Sequence, residues 1–164
     1  MISHQGSDFI MITIADIEIA QQAWGEGIVS ISAAHSSGMD HIGRASHHIE
    51  SLYAYDISPV LFKPTLATQQ QFRSTEEGAL SYFVGGNKSY PEDKGFAIKD
   101  WINVRFENEN FIINENTALV MGNYFFMASN REEVKVEFSF GYLIDNEGTL
   151  RINLHHSSMP AFIE

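Results

Sequence analysis

The stretch TALVMGNYFFMASNREEVKVEFSFGYLIDNEGTLRINLHHSS, residues 117–158, decides the fold. It reads as three β-strands, at about 117–128, 133–143 and 150–158, separated by the turn-forming groups Ser129-Asn130-Arg131 and Asp145-Asn146-Glu147-Gly148. Gly122 and Gly141 lie inside two of these strands, where a missing side chain suits bending or close backbone approach. Side chains alternate between the two faces of a regular strand. His155 and Ser157 are therefore expected on one face with Arg151 and Asn153, and His156 and Ser158 on the other with Ile152 and Leu154. Two imidazoles and two hydroxyls at a strand end are costly to bury idly, because each buried polar atom needs a partner. The polar face is the best candidate for chemistry in the chain, although a bulge would exchange the two faces.

Working outward, further strands are expected at about 96–107 and 111–114, with turns at Asn108-Glu109-Asn110 and Asn114-Glu115-Asn116. The first half is helical. Thr13 followed by Asp16 is an N-cap with an acid in the first turn, and Ile17, Ala20, Trp24, Ile28 and Ile31 recur at helical spacing to about Ala34. Ser36-Ser37-Gly38 breaks that helix. Asp40 opens a second, to about Tyr55, with Ile42, Ala45, Ile49 and Leu52 as its inner stripe, and Ser58-Pro59 stops it. Val60-Leu61-Phe62 reads as a short strand, and Glu76 to Phe83 as a short helix or strand, followed by loops at Gly85-Gly86-Asn87 and Tyr90-Pro91-Glu92-Asp93. Residues 1–12 read as a loose lead-in and 13–164 as one domain. Helices followed by a meander of long strands make an α+β domain. A strongly curved, mostly antiparallel sheet wrapped on N-terminal helices forms an open cone, and this order of elements resembles the nuclear transport factor 2-like fold. That fold hosts enzymes, binding proteins and assembly modules alike.

Composition narrows the function classes. Ten Lys and Arg against 21 Asp and Glu give a net charge of −11, which repels nucleic-acid phosphate and anionic lipid. Nucleic acid and membrane are therefore not expected as partners. A local positive pocket remains open to Arg105 and Arg151. With no cysteine there is no thiol nucleophile and no cysteine-ligated metal. No apolar run is long enough to span a bilayer, so a soluble cytoplasmic protein is the expectation.

Five segments carry a more specific likeness. They are Val60-Leu61-Phe62-Lys63-Pro64-Thr65-Leu66-Ala67, Gly78-Ala79-Leu80-Ser81-Tyr82-Phe83-Val84-Gly85-Gly86, Pro91-Glu92-Asp93-Lys94-Gly95-Phe96-Ala97-Ile98-Lys99, Trp101-Ile102-Asn103-Val104-Arg105-Phe106-Glu107-Asn108 and His155-His156-Ser157-Ser158-Met159-Pro160. Together they resemble the iota-class carbonic anhydrases, whose domain is similar to the association domain of calcium/calmodulin-dependent protein kinase II. The resemblance implies reversible hydration of CO2 to bicarbonate in a pocket bounded by Thr65, Tyr82 and Ser157, with His155 beside it. Arg105, Asn123, His156 and Ser158 are the further substrate-binding candidates.

The residues allow that chemistry without a cofactor. His155 and His156 point to opposite faces of a regular strand and cannot easily share a metal. His35, His41, His47 and His48 lie on or beside the helices with no His four residues away, so no metal is expected, zinc or manganese being the alternative. In the metal-free reading His155, with an ordinary pKa near 6.5, accepts or relays the proton while Tyr82, Thr65 and Ser157 hold water and bicarbonate oxygens. Each residue also has a plain structural reading. The histidine-serine run can satisfy backbone groups at the sheet rim, Tyr82 can be a core aromatic, Thr65 a loop cap, Arg105 a buried ion-pair partner, and the helix histidines a solvated face. Two rival functions remain: a non-catalytic association module with a small-anion pocket, and an isomerase or cyclase, which would want an acid–base pair in an apolar cone. Phe125, Phe138 and Phe140 supply apolar strand surface for pairing, and a homodimer is expected.

Overall fold

The computed structural model describes residues 11–163. Most of the lead-in expected over residues 1–12 lies outside them. Helix α1 (Ile14–Ser36) starts at a reciprocal cap: Asp16 N donates to Thr13 Oγ1 at 3.1 Å and Thr13 N to Asp16 Oδ2 at 2.8 Å. Helix α2 (His41–Leu52) is capped by Asp40 and is shorter than expected, because Tyr53 leaves the helix and bridges to Ile152. Residues 76–84 resolve the choice between helix and strand: Thr75 caps Gly78 N, giving helix α3 (Glu76–Val84). The inner stripe of α2 also differs from expectation. Ile42 is exposed, and His48 occupies the buried face beside Ala45 and Ile49.

The strands are β1 (Leu61–Lys63), β2 (Trp101–Ile113), β3 (Thr117–Ala128), β4 (Glu133–Ile144) and β5 (Leu150–Ser158). They form one sheet in the order β1-β5-β4-β3-β2, antiparallel except where β1 runs parallel to β5, and the helices cover one face. Residues 96–98, expected to begin a strand, make a single 3₁₀ turn, and Asp100 at φ 56° turns the chain into β2. Asn108-Glu109-Asn110 is not a turn. Glu109 is an extra residue in a bulge, and β2 continues through it. Gly122 lies opposite, and a Cβ there would collide with the Glu107 carbonyl, which is why the bulge can close.

A bulge in β5 changes the reading of the last strand. Register along β4 shifts between Gly141 and Tyr142, whose partners on β5 are Leu154 and Ile152, leaving Asn153 unpaired. The alternation therefore inverts at Asn153. His155 and Ser157 share the inner face with Leu150 and Ile152, not with Arg151 and Asn153 as a regular strand would require. Arg151 instead reaches the end of α2, with Nη2 donating to the carbonyls of Glu50 and Tyr53 and to Asp56. Phe138 and Phe140 also face the core, leaving Phe125 as the phenylalanine of that trio on the outer face.

The segment between β1 and α3 is fastened by a buried ion pair. Both guanidinium Nη atoms of Arg73 meet Asp93 carboxylate oxygens at 2.7 Å, Nη1 also donates to Gly78 O, and the Arg73 N–H donates to Phe62 O at 2.7 Å. Both side chains are out of solvent. Removing one member strands the other charge, which costs about 3–5 kcal/mol, a large share of a typical domain stability of about 5–15 kcal/mol. Asp93→Ala is expected to lower the urea midpoint of unfolding accordingly; an unchanged midpoint contradicts this role.

Candidate active site

Four elements converge at the open end of the sheet. β1 runs parallel beside β5, placing Phe62 next to His155 and Lys63 next to His156. Pro64 then turns the chain, and Thr65 meets Ser157 with Oγ1 to Oγ at 2.6 Å. Lys63 Nζ reinforces the turn by donating to the carbonyls of Ser157 at 3.0 Å and Thr65 at 3.3 Å. Helix α3 supplies Tyr82, whose hydroxyl accepts from Leu66 N at 3.2 Å. Strand β3 supplies Tyr124. Its hydroxyl makes a short hydrogen bond to Ser157 Oγ and lies 3.1 Å from His155 Nε2. On the far side of the imidazole, Tyr53 Oη lies 2.8 Å from His155 Nδ1, and Trp24 Nε1 donates to Tyr53 at 3.0 Å.

Thr65, Tyr82, His155 and Ser157 thus come together, all buried except the half-buried Thr65. Arg105, Asn123, His156 and Ser158 do not join them. They sit on the opposite face of the sheet, where Arg105 stacks on Phe125 and pairs with Glu107 and Glu133 in solvent, and Ser158 Oγ donates to Glu137. Asn123, His156 and Ser158 line a separate outer groove with Lys135 and Glu137. Two hydroxyls of the cluster, those of Tyr53 and Tyr124, were not singled out by the sequence. Tyr124 was findable, since it shares the inner face of β3 with Val120 and Phe126. Tyr53 had no local signal, because its place depends on the bridge to Ile152.

The surroundings keep every member of the cluster uncharged. His155 is sandwiched between aromatic rings, with Phe62 stacked at 4.7 Å and Phe140 at 4.4 Å between centroids. Burial, followed by the nearby His156 and His48, holds its pKa well below the ordinary 6.5. Burial pushes the Tyr82 hydroxyl up to about 12, and raises those of Tyr124 and Tyr53 as well. Neutral hydroxyls both donate and accept. The arrangement is able to bind a small oxygen-bearing ligand through several O–H donors without carrying a charge itself. Among the described residues no group of three or more His, Asp or Glu side chains could hold a metal ion.

The metal-independent carbonic anhydrase family matches residues 15–159, almost the whole chain. The chain belongs to the metal-independent carbonic anhydrases. A relative of that name from Nostoc sp. strain PCC 7120 is 43% identical over 156 residues, covering 91% of this chain and 74% of the relative. A solved iota-carbonic anhydrase from a cyanobacterium, complexed with bicarbonate, superposes with a TM-score of 0.91 at 40% identity, covering 93% of this chain and 95% of that one. A calcium/calmodulin-dependent protein kinase II association domain from Xanthomonas campestris superposes with a TM-score of 0.62 at 18% identity over 90% of this chain and 87% of that one. That likeness concerns the fold alone. For a metal-independent carbonic anhydrase, a cluster built only from hydroxyls and a neutral imidazole is chemically coherent.

Two buried histidines set the acid stability of this enzyme. Burial lowers His48 to about 3 and His155 well below 6.5, whereas both titrate near 6.5 when unfolded. Below that value the unfolded chain binds more protons than the folded one. The contribution is therefore complete above pH about 6.5 and falls as pH drops, by up to about 1.4 kcal/mol per pH unit for each group. Tm is expected to be lower at pH about 5.5 than at about 7.5, and His48→Leu should flatten that slope. Equal Tm values at both pH values would contradict it.

Proposed function

We propose that this protein catalyses the reversible hydration of CO2 to bicarbonate, without a metal, in the pocket bounded by Thr65, Tyr82, Tyr124 and Ser157. The observation that carries the reading is the contiguous set of neutral hydroxyls Thr65–Ser157–Tyr124, backed by a neutral imidazole, with the Tyr82 hydroxyl held on Leu66 N next to Thr65. Bicarbonate offers three oxygens, and these hydroxyls are donors at working pH because burial keeps the tyrosines protonated. The apolar side of the pocket comes from Phe62 and Phe96, each within ring-contact distance of Tyr82.

The reaction balances through a hydroxyl that works in both directions. As the water oxygen bonds to carbon, the water passes one proton to the hydroxyl oxygen, and the hydroxyl passes its own proton to an oxygen of CO2. Carbonic acid forms and loses a proton to solvent, leaving bicarbonate. His155 does not reach substrate in this scheme, since both ring nitrogens face tyrosine hydroxyls. It acts through Tyr124. Removing a donor aimed at developing charge costs about 10²–10³-fold in rate. Tyr82→Phe and Ser157→Ala are each expected to lower kcat/KM for CO2 hydration by that order, with circular dichroism and Tm nearly unchanged. Full activity in both variants would remove this assignment.

The outer face of the sheet favours an additional property, pairing of two copies. Ile112, Leu119 and Met121 stand exposed on adjacent strands there, at 61%, 47% and 56% accessibility, beside Phe125. A homodimer of the 18.5 kDa chain buries this apolar surface. Light scattering after gel filtration should give twice the chain mass, and Leu119→Lys with Met121→Lys should give the monomer. A wild-type monomer at micromolar concentration contradicts the pairing. No described helix is long and apolar enough to cross a membrane.

A further inference from the structure

The polar groups behind the pocket form one unbroken chain, and its far end can only donate. An indole N–H carries no acceptor lone pair. Trp24 Nε1, 3.0 Å from Tyr53 Oη, therefore makes that hydroxyl an acceptor. Tyr53 is fully buried, and its other hydrogen-bond partner among the described residues is His155 Nδ1 at 2.8 Å. Buried hydroxyl hydrogens find acceptors, so the Tyr53 hydrogen points at Nδ1, which must then be the bare nitrogen. A neutral imidazole has one N–H. That hydrogen sits on Nε2 and is donated to Tyr124 Oη at 3.1 Å.

The direction then propagates toward the substrate. Tyr124, having accepted from His155, turns its own hydrogen to Ser157 Oγ. The direction is fixed as far as Ser157, whose Oγ lies 2.6 Å from Thr65 Oγ1 and 3.3 Å from the Glu137 carbonyl. On α3, Tyr82 accepts from Leu66 N, and its own hydrogen meets no acceptor among the described residues, which leaves it for the ligand.

We propose that Trp24 and Tyr53 are positioning residues that hold His155 as its Nε2–H tautomer and so aim the Tyr124 hydroxyl hydrogen at Ser157 on the substrate side. With Tyr124 donating to Ser157 Oγ, the Ser157 hydrogen is not spent on Tyr124 and stays available on the substrate side. Neither residue touches substrate. The catalytic consequence rests on the hydration reading above, whereas the tautomer itself does not.

The test is a two-bond ¹H–¹⁵N correlation spectrum of the full chain with ¹⁵N-labelled histidine, His155 being assigned by the signals missing in His155→Gln. Wild type should show Nδ1 bare and Nε2 protonated through the neutral pH range. Tyr53→Phe removes the donor to Nδ1, so the two tautomers should mix and kcat should fall about tenfold, less than the 10²–10³ of a donor that touches substrate. Trp24→Phe should loosen the same preference while retaining the Tyr53 hydroxyl. Protonated Nδ1 in the wild type overturns the proposal, and that spectrum decides the tautomer even where a variant fails to fold. An unchanged tautomer and unchanged kcat in Tyr53→Phe also overturn it. A fixed Nε2–H tautomer in a wild type inactive toward CO2 upholds the polarity and sinks the hydration reading.

Discussion

A neutral imidazole held between two tyrosine hydroxyls inside an aromatic shell is the constraint on which the rest of this structure turns. His155 is buried against the rings of Phe62, Phe140 and Trp24 and between the two tyrosine hydroxyls. An imidazolium is expensive in such surroundings, so the ring stays neutral and each nitrogen must find a partner of the matching kind. Those requirements place Tyr53 at the end of α2 and Tyr124 on β3. They also explain why β1 lies parallel beside β5, bringing Phe62 face to face with the ring.

The site inherits its character from that burial. Charge-free hydroxyls have little power to deprotonate water, and the chemistry they suit is concerted, with each group giving one proton as it takes another. The geometry of the cluster then depends on how firmly Thr65 is held, since it stands on a turn and not on an element. The Lys63 ammonium gripping two carbonyls and the Arg73–Asp93 pair behind the following segment provide that hold. Rigid support of this sort is what an uncharged site needs, because donors that must reorganise during the reaction contribute little.

Much of this was legible in the sequence, and the remainder was hidden for identifiable reasons. Helix α1 and strands β3 to β5 follow from periodicity and turn residues, each of which is local information. The bulges at Glu109 and Asn153 escaped. Asn108-Glu109-Asn110 carries strong turn formers, yet Gly122 on the neighbouring strand lets the chain pass straight through, a fact that belongs to the pair of strands. The bulge at Asn153 reassigned the companions of His155 without moving His155 or Ser157 off the inner face. The grouping of Thr65, Tyr82 and Ser157 with His155 came from the family resemblance of their segments, and the fold brings these four side chains together. Arg105, Asn123, His156 and Ser158 were chosen for residue type, and the pleat sends them to the other side of the sheet. Trp24, Tyr53 and Tyr124 look like core aromatics in sequence; only the hydrogen-bond partners reveal that their polar atoms form a line to the pocket.

The most direct measurement of the central claim is stopped-flow CO2 hydration by the purified wild-type protein, with a chelator and again with added zinc or manganese. The account predicts hydration that survives the chelator and is not raised by either metal. Activity that vanishes with the chelator and returns with metal would contradict a mechanism built on neutral hydroxyls around His155.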